Sequence, residues 1–165
     1  MRLIIDPLGD GHHDLFLKID VMPSQLKIAD SYYLFDFLEI GQEEIKVITQ
    51  QKMTPIAYGT LRLIDYWESR IWAMTKGQTL FLLFDLSDQY VGGFRVTKVK
   101  YGYQFEEVFS EQTTGYAVNK STLDSVLPLT LLQTGKNSSS RWLISEEKLR
   151  EGLNWSKKEI LNKNP

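Results

Sequence analysis

The sequence predicts an α+β domain: a mainly antiparallel β-sheet with one central amphipathic helix and a C-terminal helical tail. Three observations support this class: strand-like alternation near the N-terminus, one long helical stripe in the middle, and apolar segments of strand length after it. A chain of 165 residues fits one domain and buries roughly 70% of its unfolded surface. We expect 1–133 to form this single domain, and 134–165 to be a flexible link and a charged helical tail that packs on it or extends from it.

The N-terminal part of the chain is typical of β-strands. Leu3 to Ile5 is a short apolar run, and Asp14 to Val21 alternates between apolar and polar residues, which predicts a half-buried strand. The segments SYYLFDFLEI and IKVITQQ are rich in aromatic and β-branched residues, and GQEE lies between them. This pattern predicts a hairpin with Gly41 in its turn.

A helix is predicted between Thr54-Pro55 and Lys76-Gly77. Threonine followed by proline is typical of a helix N-terminus, and a basic residue followed by glycine is typical of its end. The apolar residues between them recur at helical spacing: Ile64, Trp67, Ile71 and Met74. Gly59 is expected to delay the regular helix to about Thr60, since glycine costs roughly 1 kcal/mol in a helix.

The second half of the chain returns to strands. TLFLLFDL, from Thr79 to Leu86, is apolar on both faces and predicts a central strand that is covered on both sides. A turn at Gly92-Gly93 and a strand from Phe94 to Tyr103 with a bulge near Gly102 should follow. We expect GYQFEEVFSE and YAVN to form a further hairpin, and Ser121-Thr-Leu-Asp124 to begin a short helix before Pro128. SEEKLREGLNWSKKEILNK then predicts one helix or two short ones.

The charge distribution disfavours some partners. Residues 1–133 carry 17 acidic and 12 basic side chains, a balance of −5, whereas 134–165 carry 4 acidic and 7 basic, a balance of +3. An acidic body repels phosphates, so nucleic acid is not an expected partner. No segment reaches the roughly 18 apolar residues of a membrane span. The N-terminus lacks the apolar stretch of a secretory signal and the chain has no cysteine, so we expect a cytoplasmic protein without disulfides.

No catalytic signature stands out. The chain lacks the G-x-S-x-G pattern of serine hydrolases, and Gly92-Gly93 lacks the lysine of a phosphate loop. Its paired glutamates are adjacent in sequence and diverge in direction, unlike the convergent carboxylates of acid–base catalysts. We therefore expect a non-enzymatic protein that uses no cofactor.

The segment DPLGDGHHD, residues 6 to 14, contains both histidines of the chain. It has two interpretations. As a metal site it would use Asp10, His12, His13 and Asp14, which are donor types suited to zinc or another divalent ion. As a turn it would use its proline and glycines to lead into the following strand, and adjacent histidines in an extended chain point to opposite faces. The spacing favours the turn.

A contact surface for a protein partner is the other type of site that we consider. Acidic residues attract a basic partner, and aromatic residues anchor interfaces. The candidate contact residues are Asp10, Asp14, Phe16, Asp20, Asp36 and Tyr90.

In its order of elements, the chain resembles the small cytoplasmic immunity proteins of bacterial polymorphic-toxin systems. Four segments carry this likeness across about 1–120: DLFLKIDV, the YYLFDFLEI and IKVITQ pair, TLRLIDYWESRIWAM, and TLFLLFDL. The resemblance implies antiparallel strands before and after one helix, and a role in occluding a toxin domain. It transfers no functional residue, because no family motif is matched.

The sequence therefore suggests a non-enzymatic protein-binding module, an immunity-type inhibitor that occludes a toxin domain. Two alternatives stay open. One is a metal-dependent hydrolase or small-ligand enzyme that uses the Asp10, His12, His13 and Asp14 loop, and the other is a subunit of a homo-oligomer.

Overall fold

The computed structural model describes residues 1–20, 25–134 and 141–163, and its fold is α+β, as predicted. Within these residues the strands form two antiparallel sheets rather than one, a first sheet of three strands and a second sheet of four. Helices lie between the two sheets along the chain and again at its C-terminal end. In the described part of the chain, no helix is long and apolar enough to cross a membrane.

The first sheet has the order β1-β2-β3. Its strands are β1 Arg2–Ile5, β2 Leu15–Ile19 and β3 Gln25–Ala29. The alternation predicted for the second strand is confirmed, since Leu15, Leu17 and Ile19 are buried while Lys18 is exposed. Successive side chains of a strand point to opposite faces, so one face of this sheet packs into the core.

The hairpin predicted from SYYLFDFLEI and IKVITQQ is wrong, because both segments are helical: α1 Leu34–Leu38 and α2 Gln42–Gln50. The buried residues of the first helix are Leu34, Phe37 and Leu38, which follow helical spacing. Gly41 is the N-cap of the second helix rather than a hairpin turn. Two glutamates follow in the first turn of that helix, where the helix dipole favours negative charge. Composition suggested strands, but the period of burial is that of a helix.

The third helix, α3 Pro55–Trp72, has Thr54 as its N-cap, as predicted. It ends at Trp72, four residues before Lys76. It begins directly at Pro55, so Gly59 does not delay it. A Cβ at Gly59 would lie 3.1 Å from Leu34 Cδ2, so glycine there lets the first and third helices approach closely.

The second sheet has the order β4-β5-β6-β7, and its last strand, β7, is Arg141–Ile144. Its first three strands are β4 Thr79–Leu86, β5 Val91–Val99 and β6 Gly102–Ser110. The first of these strands is apolar and largely buried, but it lies at the edge of the sheet, so the prediction of a central strand is wrong. Trp67 of α3 donates its indole N–H to the carbonyl oxygen of Leu83 in this strand at 2.8 Å.

Glycine positions in this sheet also differ from the sequence prediction. Gly92 and Gly93 lie inside β5, and the turn before that strand is at 87–90, where Ser87 N–H donates to Tyr90 O. The expected long strand divides at Lys100, and Gly102, at φ 146°, begins β6. The irregularity of register lies in β4, between Leu83 and Asp85.

The remaining elements are α4 Leu123–Val126, β7 Arg141–Ile144 and α5 Glu146–Lys163. Gly115–Ala117, which includes the start of the YAVN segment, is a 3-10 helix rather than the second arm of a hairpin. The C-terminal segment forms one helix rather than two, and Leu149, Leu153 and Ile160 are buried on it. Of the flexible link predicted from Gly135 to Arg141, residues 135–140 lie outside the described residues, and Arg141 belongs to β7.

The last helix covers the outer edge of the first sheet. Ser156 Oγ accepts the N–H of Leu3 at 2.8 Å and donates to Gly152 O at 2.8 Å. A Cβ added at Gly152 would overlap the carbonyl oxygen of Met1. The glycine therefore lets α5 lie directly on β1, whose edge would otherwise present unpaired backbone groups.

We predict that Gly152→Ala destabilises the protein by about 1–3 kcal/mol, the usual cost of overpacking. The sign of the change in unfolding free energy distinguishes the two cases, because alanine in place of glycine in an ordinary helix stabilises a protein by about 1 kcal/mol. Urea unfolding measures the difference. Asn154→Ala, at an exposed position of the same helix, is the matched control and should be neutral or slightly stabilising. A more stable Gly152→Ala protein would contradict this packing of the helix on the strand.

Candidate functional site

The segment DPLGDGHHD forms a loop that its last aspartate holds in place. Asp14 is only 1% exposed. Its carboxylate accepts Gly11 N–H at 3.0 Å, Ser31 N–H at 3.1 Å and Ser31 Oγ–H at 2.7 Å. Ser31 N–H also donates to Gly11 O at 2.9 Å. The loop is therefore fastened to the segment that follows β3.

The two histidines of this loop lie beside Asp30. His12 Nδ1 is 3.6 Å from Asp30 Oδ2, and the backbone N–H of His13 donates to Asp30 Oδ1 at 2.7 Å. Asp10 accepts His12 N–H at 3.3 Å, which is a local turn contact. Among the residues that the structure describes, no three His, Asp or Glu side chains are grouped so that they could hold a metal ion.

A row of aromatic rings lies next to the loop. His12 stacks on Tyr32 with ring centroids 5.3 Å apart, Tyr32 meets Tyr33 edge-to-face at 4.9 Å, and Tyr33 meets Tyr116 at 6.0 Å. Tyr33 also donates its hydroxyl to Asp88 at 2.6 Å. This hydrogen bond raises the pKa of Tyr33 to about 12, so the hydroxyl stays protonated to a higher pH than that of an ordinary tyrosine. We call His12, Asp30, Tyr32, Tyr33, Asp88 and Tyr116 together the tyrosine surface.

Glycines let the rings of this surface lie close to the backbone. A Cβ at Gly11 would lie 2.9 Å from Tyr32 Cδ2, and one at Gly115 would lie 2.6 Å from Tyr33 Cδ2. Gly115 N–H also donates to Ser87 O at 2.8 Å. Four segments that are distant in sequence are thereby fixed side by side.

A cleft opens between the two sheets beside the tyrosine surface, and we call it the β3–β4 cleft. At one end the sheets meet, since Asp30 N–H donates to Asp85 Oδ1 at 3.0 Å and Leu86 N–H donates to Asp30 O at 3.3 Å. Away from this junction, Lys27 of β3 pairs with Glu107 of β6 at 2.6 Å. The space between has a volume of about 440 Å³, within the usual range for small-ligand pockets.

Aromatic and acidic side chains line this cleft. Tyr90 donates its hydroxyl to Asp85 Oδ2 at 2.7 Å, and its ring meets Phe109 edge-to-face at 6.4 Å. Burial raises the pKa of Asp85, and the hydrogen bonds from Tyr90 and Asp30 oppose this effect without cancelling it. Burial, followed by the hydrogen bond to Asp85, raises the pKa of Tyr90. Both groups favour their uncharged forms more than they would in water.

The structure separates the residues that the sequence suggested as contacts. Asp10 lies in the loop beside the tyrosine surface and Tyr90 lies in the cleft, whereas Asp14 is buried within its own hydrogen bonds. Phe16 lies on the outward face of the first sheet, where it pairs with Ile28. The other two lie elsewhere: Asp20 beside the amino group of Met1, and Asp36 exposed on α1.

Sequence reasoning missed Asp30, Asp85, Tyr33 and Tyr116. Tyr33 sits in a segment that was predicted to be a strand, and Tyr116 in one predicted to be a hairpin arm. One signal was available, because Asp85 is the single charge in the apolar segment TLFLLFDL. A charge in such a segment needs a polar partner. The partners of Asp85 are Asp30, directly after β3, and Tyr90, in the turn after β4.

Comparison with known proteins returns nothing: no family model matches the chain, and neither the curated proteins nor the solved structures include a significant match. The chain's own residues therefore carry the case for its function.

We predict that Asp14→Ala destabilises the protein by about 2 kcal/mol. The substitution removes the carboxylate that accepts hydrogen bonds from Gly11 and Ser31, so these buried and part-buried donors lose their acceptor. Asp10→Ala removes one exposed hydrogen bond from the same loop and should change stability by less than about 0.5 kcal/mol. Urea unfolding of both variants measures the contrast. Equal effects would show that the buried carboxylate does not hold the loop.

Proposed function

We propose that this chain is a non-enzymatic protein-binding module of the immunity type, which occludes a basic toxin domain with its tyrosine surface. The observation that carries the proposal is the exposure of rings that are already fixed in position. Tyr32 is 55% exposed and Tyr116 is 68% exposed, yet both belong to one continuous row of ring contacts.

Tyrosine suits such a role for two physical reasons. Its ring covers a large apolar area while its hydroxyl makes hydrogen bonds, and only two side-chain torsions have to be fixed when it binds. Here much of that ordering exists before binding, since Tyr33 is held by Asp88 and Tyr32 by stacking with His12. Preorganised contacts lose less entropy on association.

The charges around the row indicate the sign of the partner. Asp10, Asp30 and Asp88 lie at or beside the rings, and the body formed by residues 1–133 carries a balance of −5. An acidic surface speeds association with a basic partner and repels an acidic one. A toxin domain that acts on nucleic acid presents a basic surface to phosphates, so covering that surface would block its action without any chemistry in the inhibitor.

The order of elements also supports this proposal. Three of the four segments that resemble immunity proteins have the predicted type: DLFLKIDV contains β2, TLRLIDYWESRIWAM lies mostly in α3, and TLFLLFDL is β4. The YYLFDFLEI and IKVITQ pair is helical instead. Strands still precede and follow the helical part of the chain.

Charge argues against pairing of two copies through the same surface. A two-fold interface would place Asp30 and Asp88 near their own counterparts, and like charges brought together at an interface cost binding free energy. A protein of opposite charge fits this surface better than a second copy.

The test is co-expression with the product of the adjacent reading frame, followed by calorimetric measurement of the Kd of the purified complex. We expect Tyr32→Ala combined with Tyr116→Ala to weaken the complex by about 100-fold, since two central aromatic anchors are lost. The association rate constant of the wild-type complex should also fall as salt is raised, because screening weakens the steering.

Tyr101→Ala is the matched control. Tyr101 is 71% exposed, close to the exposure of Tyr116, but it lies in the turn between β5 and β6, and its loss should leave the Kd unchanged. If no complex forms, or if the double variant binds as the wild type does, the proposal is wrong. Sedimentation that shows self-association lost in the double variant would instead identify a homo-oligomer.

A further inference from the structure

The β3–β4 cleft contains the half-buried carboxylate of Asp85. Asp85 accepts hydrogen bonds from Tyr90 Oη–H and Asp30 N–H, and both donors are neutral. In the part of the chain that the structure describes, Asp85 of β4 forms no ion pair, whereas Glu107 of β6 is paired with Lys27 at 2.6 Å. Lys27, which lines the cleft, is therefore paired with Glu107 and not with Asp85.

A cation that enters the cleft would stabilise the charged form of Asp85. Burial raises the pKa of Asp85, which means that the charged form is disfavoured relative to water. A carboxylate offers about four acceptor positions, and the two hydrogen bonds leave acceptors for further donors. A cationic donor placed there would form a charge-assisted hydrogen bond, the stronger type.

The walls of the cleft suit a planar cation in particular. The rings of Tyr90 and Phe109 meet edge-to-face and line the cleft together with Phe84 and Phe94. Guanidinium groups stack on aromatic faces and form paired hydrogen bonds with carboxylates, and they are less strongly hydrated than ammonium groups. Aromatic walls beside one carboxylate therefore favour a guanidinium.

Glycine at position 92 lets the Tyr90 ring lie close to the backbone of β5. Gly92 of β5 is paired with Asp85 of β4. A Cβ on Gly92 would lie 3.2 Å from Asp85 Cβ and 3.3 Å from Tyr90 Cε2. The glycine therefore lets Asp85 and the Tyr90 ring lie side by side at the wall of the cleft.

We propose that the β3–β4 cleft binds a guanidinium group, and that its source is an arginine side chain of the protein partner. This inference rests on the proposed function, because the cleft and the tyrosine surface share Asp30 and the turn at 87–90. On one side of that turn Tyr33 holds Asp88, and on the other Tyr90 holds Asp85. A partner that covers the tyrosine surface thus has the cleft within the same footprint.

The first experiment uses the full chain alone, without a partner. We titrate it with n-butylguanidinium and with n-butylurea, a neutral analogue of the same shape, at constant ionic strength, and follow amide NMR shifts. We expect saturable low-millimolar binding of n-butylguanidinium, with shifts centred on Asp85, Tyr90 and Gly92, and binding of n-butylurea that is at least about tenfold weaker.

Asp85→Asn tests the carboxylate itself, because it keeps an acceptor for Asp30 N–H and removes the charge. We expect the affinity for n-butylguanidinium to fall by about tenfold or more. Asp36→Asn, at an exposed acidic position on α1, is the control and should leave the affinity unchanged. Equal binding of the two ligands by the wild type would overturn the inference, and this comparison does not depend on whether the variant folds.

The second experiment distinguishes the source of the guanidinium. In the complex with the partner, an occupied cleft should no longer bind n-butylguanidinium, and Asp85→Asn should raise the Kd of the complex. If the complex binds n-butylguanidinium as well as the chain alone does, an arginine of the partner does not occupy the cleft, and this part of the inference is wrong. If the cleft fails both experiments while the Tyr32 and Tyr116 double variant still loses the partner, the inference is wrong and the proposed function stands.

Discussion

Asp30 joins the two sheets through its backbone, since its carbonyl oxygen accepts Leu86 N–H and its own N–H donates to Asp85 Oδ1. Its side chain accepts the backbone N–H of His13. One residue thus connects the edge of the first sheet, the edge of the second sheet and the N-terminal loop. The cleft lies where β3 and β4 separate beyond this junction. The N-terminal loop is held at the same junction, so the rings of the tyrosine surface lie beside the cleft.

Close approach of rings to glycine is the second constraint on this region. Tyr32 packs on Gly11 and Tyr33 on Gly115, while Gly92 lies under the Tyr90 ring. Each contact places an aromatic side chain against backbone that carries no side chain of its own. These rings are therefore held in place although they lie at the surface, and preorganised groups lose less entropy when a partner binds.

Local sequence patterns predicted elements correctly where one period of burial was clear. The alternation of β2 and the apolar stripe of α3 are examples, since each depends on neighbours within a few residues. The prediction failed for α1, where aromatic residues suggested a strand although Leu34, Phe37 and Leu38 are buried at helical spacing. It also failed for the place of β4 in its sheet, because this apolar strand lies at the edge, where its backbone bonds to Trp67 of α3 and to Asp30 instead of to a second strand of the sheet.

The sequence by itself determined the α+β class, the acidic balance of the body, and the turn chemistry of DPLGDGHHD. Only the tertiary structure decided what each carboxylate does. The carboxylate of Asp14 accepts hydrogen bonds from Ser31 and Gly11. Asp85, the single charge in an apolar strand, instead lines a cleft and accepts a hydrogen bond from Asp30, which is 55 positions away in sequence. The reason is physical: periodicity and capping act over a few residues, whereas the surroundings of a charge depend on segments that meet only when the chain has folded.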